Sequence, residues 1–213
     1  SLSAQRAVST SQNDAATSMQ RLATGLRINS AKDDASGIAV ASRLTSQIEG
    51  LRQASRNAND AVSMLQTAEG GLQSMTENLQ RMRELAVQSA NGSISDVERS
   101  YLDLEYRQLV QEIDRLAEST KFGNVTLLNG GTDPGDPKFF RFQIGHGTDA
   151  TDSLNFFVSD YNVGELGQGK NPDGTDIPGE NPISGTVISF QGGAQLAIDS
   201  VDRALTAVLS GRA

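Results

Sequence analysis

Residues 45–91 read TSQIEGLRQASRNANDAVSMLQTAEGGLQSMTENLQRMRELAVQSAN, and this stretch decides the predicted fold. Its apolar residues recur at spacings of three and four, which is typical of an amphipathic α-helix. They are Ile48, Leu51, Ala58, Val62, Leu65, Leu72, Leu79, Met82 and Ala86. At a rise of about 1.5 Å per residue, the helix is on the order of 70 Å long and needs a long partner. Gly70 and Gly71 weaken it locally and permit a bend or a close crossing.

Two further helices are predicted to provide that partner. Ser95 and Glu98 have the spacing of a capping box, so a helix is expected to begin after the turn at residues 91–93. Its apolar seam is Leu102, Tyr106, Leu109, Ile113 and Leu116. A seam with the same spacing lies near the C-terminal end and comprises Ala194, Ile198, Val201, Leu205 and Val208. These seams predict a long antiparallel helical bundle, or rod, to which both ends of the chain contribute.

The N-terminal stretch and the middle of the chain differ from this rod. An N-terminal helical stripe is followed by a turn-like segment at residues 29–34, which predicts a hinge. Residues 121–190 contain all five prolines and three strand candidates, at 139–144, 154–158 and 186–190. The predicted fold is therefore mainly α with a small β-rich insert. We divide it into residues 1–41, a rod of 42–120 with 191–213, and the insert at 121–190.

Composition excludes several classes of function. The 213 residues have a formal net charge of −8 and no block of Lys or Arg, so nucleic-acid binding is not expected. No stretch has the roughly 18 apolar residues that a membrane span needs. Aromatic residues make up only 5% of the chain, which favours close helix packing over a bulky enzyme interior. The absence of cysteine removes thiolate nucleophiles and thiolate metal ligands.

Candidate catalytic and metal-binding residues are few. His146 stands between two glycines without a second His or a Cys nearby, so we interpret it as a solvent-facing turn residue. Asp173 and Asp176 lie in a loop that faintly resembles a calcium-binding loop but lacks the closing Glu. They are weak metal candidates, and an ordinary turn explains the pattern more simply. No cofactor and no enzymatic activity are predicted.

One polar helix face is the most interesting surface. Its members repeat at helical spacing beside a leucine that looks exposed, which suits an interface, although a solvated helix face has the same pattern. The residues are Gln80, Arg81, Glu84, Leu85 and Gln88, joined by Glu105 on the returning helix.

Three segments of the chain resemble bacterial flagellin, the protein that polymerises into the flagellar filament. They are GLRINSAKDDASG at 25–37, QASRNAND at 53–60 and LQRMRELAVQSAN at 79–91. The resemblance covers roughly residues 1–129 and resumes at 193–213. Flagellins typically have additional residues beyond both of these ends. The resemblance therefore implies a fragment truncated at both termini, which is expected to fold but to assemble poorly.

The resemblance also implies partners and a location. The chain is expected to be a non-enzymatic, extracellular filament subunit that contacts copies of itself, an export chaperone and hook-associated proteins. The polar face resembles the flagellin surface that contacts neighbouring subunits and is bound by a vertebrate Toll-like receptor, with Arg81, Leu85 and Glu105 matching the residues used most there. The alternative is a cell-surface binding protein that presents the loops between residues 132 and 182 to a polysaccharide or Ca²⁺.

Overall fold

The computed structural model describes residues 2–131, 138–167 and 181–212, and helices dominate this part of the chain. The helices are α1 (Leu2–Thr24), α2 (Ala35–Ala90), α3 (Asp96–Ser119) and α4 (Gln191–Gly211). The strands lie between α3 and α4 and are β1 (Lys121–Phe122), β2 (Val125–Thr126), β3 (Lys138–Gln143) and β4 (Ser153–Val158). β1 pairs with β2 and β3 pairs with β4, each pair forming a two-stranded antiparallel sheet. The predicted fold class, mainly α with a small β-rich insert, is confirmed.

The long helix begins earlier than the sequence pattern predicted. α2 starts at Ala35 rather than near Thr45 because Asp34 caps it, accepting a hydrogen bond from the Gly37 amide at 2.8 Å. That hydrogen bond, together with one from the Ser36 hydroxyl, lowers the pKa of Asp34. The proposed boundary after residue 41 falls inside this continuous helix, whereas those at 120 and 190 coincide with element ends.

Helices α3 and α4 both run antiparallel to α2. For α3, an ion pair joins Arg81 near the end of α2 to Glu105. For α4, Gln191 donates to the Ala90 carbonyl at 3.1 Å, while Arg212, just past the end of the helix, reaches Glu69 near the middle of α2. The buried side chains of the bundle include Leu72, Met75, Leu79, Met82, Leu85, Tyr106, Ile113, Ala194, Val201 and Val208. The predicted seams of α3 and α4 therefore form the core of the rod.

The part of α2 up to residue 68 buries a different face from the one predicted. Ile48, Leu51, Val62 and Leu65 were assigned to the seam, but they are exposed, Ile48 by 50% and Val62 by 51%. The buried residues there are Ala54, Ala61, Met64 and Ala68. The β3–β4 hairpin contacts this half of α2, and Asn57 donates to the Gln143 carbonyl at 2.9 Å. The prediction of which face of α2 is buried was wrong here, because the partner is a hairpin and not another helix.

The Gly70-Gly71 pair permits a close crossing. α2 is continuous through both residues. A Cβ at Gly71 would lie 2.7 Å from Leu128 Cδ1 and 2.8 Å from Thr120 Oγ1, whereas a Cβ at Gly70 would have no neighbour within 4 Å. Gly71 is therefore needed where the segment after α3 passes over the helix.

Residues 186–190, the third predicted strand, form no strand and are instead held in place by helix side chains. Asp103 accepts from the Ile188 amide at 2.8 Å, and Ser89 donates to the Ile188 carbonyl. The hydroxyls of Tyr106 and Thr186 are 2.7 Å apart, and burial raises the pKa of Tyr106 to about 12, so the phenol stays protonated. The predicted strand at 186–190 was wrong because the hydrogen-bond partners of this segment are helix side chains and not a neighbouring strand.

Candidate interaction surface

The predicted polar face lies across α2 and α3, near the end of α2. Gln80, Arg81, Glu84 and Gln88 are exposed on α2, and Glu105 is half-buried on α3. Because the two helices are antiparallel, residues 24 positions apart in sequence become neighbours. The structure therefore brings these five polar side chains onto one surface.

A small network of charges organises this surface. The Arg81 guanidinium donates through Nε to Glu105 Oε1 at 2.9 Å and through Nη1 to Glu84 Oε2 at 3.0 Å. The hydrogen bonds from Arg81 to Glu105 and to Glu84 raise the pKa of Arg81. Both pairs are exposed, so they contribute little to folding. Their effect is to orient one guanidinium between two carboxylates at the surface.

Leu85 does not belong to the exposed part of this surface. Its side chain is only 1% exposed and lies in the core cluster with Met82 and Ala86. The sequence pattern suggested exposure because Leu85 neighbours Glu84 and Gln88, but a helix turns by about 100° per residue and points it inward. The expectation of an exposed leucine was wrong.

A shallow groove runs beside the charge network. Its volume is about 540 Å³, and it is lined by Gln80, Arg83, Glu84, Val87 and Gln88. Val87 is 48% exposed and supplies apolar surface that the sequence analysis did not assign to the site. Arg83 forms an ion pair with Asp202 of α4, with Nε and Oδ1 2.6 Å apart, so this pair links the groove to α4.

A second feature that the sequence analysis missed is an apolar stripe on the outer side of α3. Val97, Tyr101 and Leu104 are all exposed by 60% or more and lie on the face opposite Tyr106. Their spacing of four and three residues was a detectable signal. We call these three residues the α3 outer stripe. An exposed apolar patch on a helix that is already packed favours contact with another protein.

The other sequence candidates do not form a site within the described residues. His146 is exposed, as predicted, and its Cβ would lie 3.1 Å from a Cβ placed at Gly50 of α2. Asp173 and Asp176 lie outside the described residues. Among the residues that the structure does describe, no three His, Asp or Glu side chains are grouped to hold a metal ion. None of the described helices combines the length and hydropathy needed to cross a membrane.

Comparison with known proteins places these observations in a family. The model of the bacterial flagellin N-terminal helical region matches residues 1–133. B-type flagellin from Pseudomonas aeruginosa is 54% identical over 130 residues, covering 61% of this chain and 27% of that protein. Flagellin A from Vibrio cholerae is 52% identical over 129 residues, covering 61% and 34%. The matched region thus spans about a quarter to a third of these relatives.

Solved structures agree with the fold. Bacillus cereus flagellin aligns with a TM-score of 0.55 and 28% identity, covering 74% of this chain and 78% of that one. FliC from Burkholderia pseudomallei aligns with a TM-score of 0.59 and 19% identity, covering 71% and 95%. A putative flagellar hook-associated protein from Vibrio parahaemolyticus gives 0.60 and 18%, covering 86% of each chain. The last two, at these identities, establish a shared fold alone.

Proposed function

Because this chain belongs to the bacterial flagellin family, we propose that it forms the rod of an extracellular structural subunit of the flagellar filament. Flagellins are structural proteins, and we assign the same non-enzymatic role here. The supporting observation is a rod that leaves apolar side chains exposed along its length. These side chains include Ile48, Leu51, Val62, Tyr101 and Leu104.

The proposed mechanism is repeated contact between identical rods. A contact that joins two different faces of the same subunit does not close on itself, so it propagates into a helical filament. The exposed half of the α2 apolar face and the α3 outer stripe are two such faces, on different helices. Burying them between copies would favour assembly through the hydrophobic effect.

The filament role can be tested on the cells that make the protein. Antibodies raised against the 213-residue chain should label extracellular filaments in immunogold electron micrographs. Deleting the gene should remove the labelled filaments and abolish swimming. Label spread over the cell body, with unchanged filaments in the deletion strain, would instead support the alternative of a cell-surface binding protein.

We further propose that Gln80, Arg81, Glu84, Gln88 and Glu105 form a contact surface for neighbouring subunits and for a vertebrate Toll-like receptor. Their exposure and the oriented Arg81 guanidinium support this, since arginine is enriched at the centres of protein interfaces. Leu85 contributes to the proposal only by supporting the helix from inside. An export chaperone and hook-associated proteins are proposed as further partners on the resemblance alone.

Replacing Arg81 with alanine is expected to weaken receptor signalling about tenfold while leaving the melting temperature nearly unchanged. The reason is that the Arg81 ion pairs are exposed and contribute little to folding. A reporter-cell dose response would measure the potency, and circular dichroism would measure the melting temperature.

Arg115→Ala is the matched control because Arg115 also forms an exposed ion pair, with Glu112 on α3. It should leave both the potency and the melting temperature unchanged. Equal potency of the Arg81 variant and the unmodified protein would remove Arg81 from the proposed contact surface.

A further inference from the structure

The chain contains two Asn-Gly pairs, Asn91-Gly92 and Asn129-Gly130. Asn-Gly is the dipeptide most prone to spontaneous rearrangement, because glycine has no Cβ to hinder ring closure onto its own amide nitrogen. Neither pair has a role in the proposed contacts of the rod. Their surroundings in the structure differ in ways that predict different reactivity.

The reaction itself needs only water and a mild base. The deprotonated Gly amide nitrogen attacks the Asn Cγ, the Cγ–Nδ2 bond breaks, and the Nδ2 group takes up a proton from water and leaves as ammonia. The resulting five-membered succinimide is then hydrolysed. When water attacks Cγ and breaks its bond to nitrogen, the product is aspartate. When water attacks the main-chain carbonyl carbon instead, the product is isoaspartate, which has one more methylene in the backbone.

The surroundings of Asn91 favour this attack. Asn91 is exposed and lies just past the end of α2, with an extended ψ of 127°, so helical hydrogen bonding does not restrain the peptide that follows it. A Cβ placed on Gly92 would meet only Gln191 Nε2 at 4.0 Å, so the surroundings of Gly92 are open. The Asn91 carbonyl of the same peptide accepts from the Ile94 amide at 3.3 Å and from Arg99 Nη2 at 2.9 Å, so ring closure has to loosen these two hydrogen bonds.

A nearby amide also assists the chemistry at Asn91. The Ser93 amide donates to Asn91 Oδ1 at 3.1 Å. When the Gly92 nitrogen adds to Cγ, negative charge develops on this same oxygen, and a backbone donor already aimed at it stabilises the tetrahedral intermediate.

The surroundings of Asn129 oppose the same attack. Asn129 is paired with Asp160 in a β-bridge, which fixes the backbone that ring closure has to rotate. Gly130 is buried, and a Cβ placed there would lie 2.6 Å from Asp160 Oδ2. Closing the ring would therefore require breaking these contacts, which happens only during local opening.

We propose that Asn91 is a site of spontaneous deamidation in the native protein and that the fold protects Asn129. The reaction adds a negative charge at the end of α2, three residues after Gln88. In the isoaspartyl product, the Asn91 carbonyl to which Arg99 Nη2 donates at 2.9 Å becomes part of a carboxylate. The modification thus alters the turn that joins α2 to α3.

The experiment follows both sites in one sample. The protein is incubated in mildly alkaline buffer made with H₂¹⁸O, then digested with trypsin in ordinary water, so that only deamidation during incubation carries the label. Tandem mass spectrometry of peptides 84–99 and 122–138 gives the two rates. Labelling by an isoaspartyl methyltransferase identifies the isoaspartyl product. In the native protein, Asn91 should be labelled at least about tenfold faster than Asn129.

Two controls separate the effect of the fold from that of the dipeptide. In denaturant, the two sites should react at similar rates because both are then unprotected. Gly92→Ala, which the structure accommodates, should slow labelling of Asn91 about tenfold. Equal native rates at the two sites, or an unchanged rate in the Gly92→Ala variant, would overturn the proposal.

Discussion

Leu85→Ala should lower the free energy of unfolding by about 3 kcal/mol, although the sequence pattern places Leu85 on a surface. Leu85 is 1% exposed and packs in the core of the bundle. Removing its side chain loses buried apolar area and leaves a cavity that the long, stiff helices around it cannot collapse to fill. Denaturant unfolding followed by circular dichroism would measure the loss as a lower midpoint.

Val87→Ala is the matched control for Leu85→Ala. Val87 is two residues further along α2 and 48% exposed, so its truncation should change stability by less than about 0.5 kcal/mol. If the two variants lost the same amount, the assignment of Leu85 to the core would be wrong. A loss of receptor signalling in Leu85→Ala would have to be separated from this loss of stability, whereas Arg81→Ala avoids the ambiguity.

Arg99→Met is the second large effect, also expected to cost about 3 kcal/mol. The Arg99 side chain is buried, and its guanidinium donates to the carbonyls of Ser89, Asn91 and Ile94. Methionine has a similar aliphatic length but no donor, so all three carbonyls lose the guanidinium, and the Asn91 carbonyl keeps only the Ile94 amide. Thermal unfolding would report the loss, and hydrogen exchange of residues 91–95 would show whether the turn loosens.

Arg115→Met tests whether burial is the cause. Arg115 lies on the same helix and pairs with Glu112 at the surface, so replacing it should cost less than about 0.5 kcal/mol. A melting temperature of Arg99→Met equal to that of Arg115→Met would show that the guanidinium does not hold the turn.

Local signals predicted much of the rod. The capping box was correct in detail: Ser95 accepts from the Glu98 amide, and Glu98 accepts from the Ser95 amide at 2.9 Å. The hydrogen bonds from Ser95 also lower the pKa of Glu98. Such a cap involves residues three apart, so it can be identified before any tertiary contact is known.

The same reasoning missed Arg99, although a signal was present. Counting back seven residues from Tyr106 and fourteen from Ile113 reaches Arg99, so the seam of α3 continues through it. The predicted seam began at Leu102 and did not include this charged residue. Its charge is accommodated because the carbonyls of the preceding turn converge on it, which the seam alone does not reveal.

The candidate surface was predicted in part. Spacing on one helix correctly grouped Gln80, Arg81, Glu84 and Gln88, since neighbours on a helix face are set by its period. It misplaced Leu85 because the border between the polar and apolar faces depends on where α3 and α4 pack. Glu105 was placed beside them from the expected return of the next helix, and the antiparallel packing of α3 brings it to Arg81.

By itself, the sequence determined that α2, α3 and α4 are helices, where α3 begins, and that the residues between α3 and α4 are not part of the bundle. These are consequences of period, caps and composition, which act over a few residues. Only the tertiary structure decided which of two apolar faces α2 buries, that residues 186–190 bind to side chains instead of a strand, and that Leu85 is inside. Each of these depends on a partner far away in the chain, because burial is a property of packed surfaces and not of a segment.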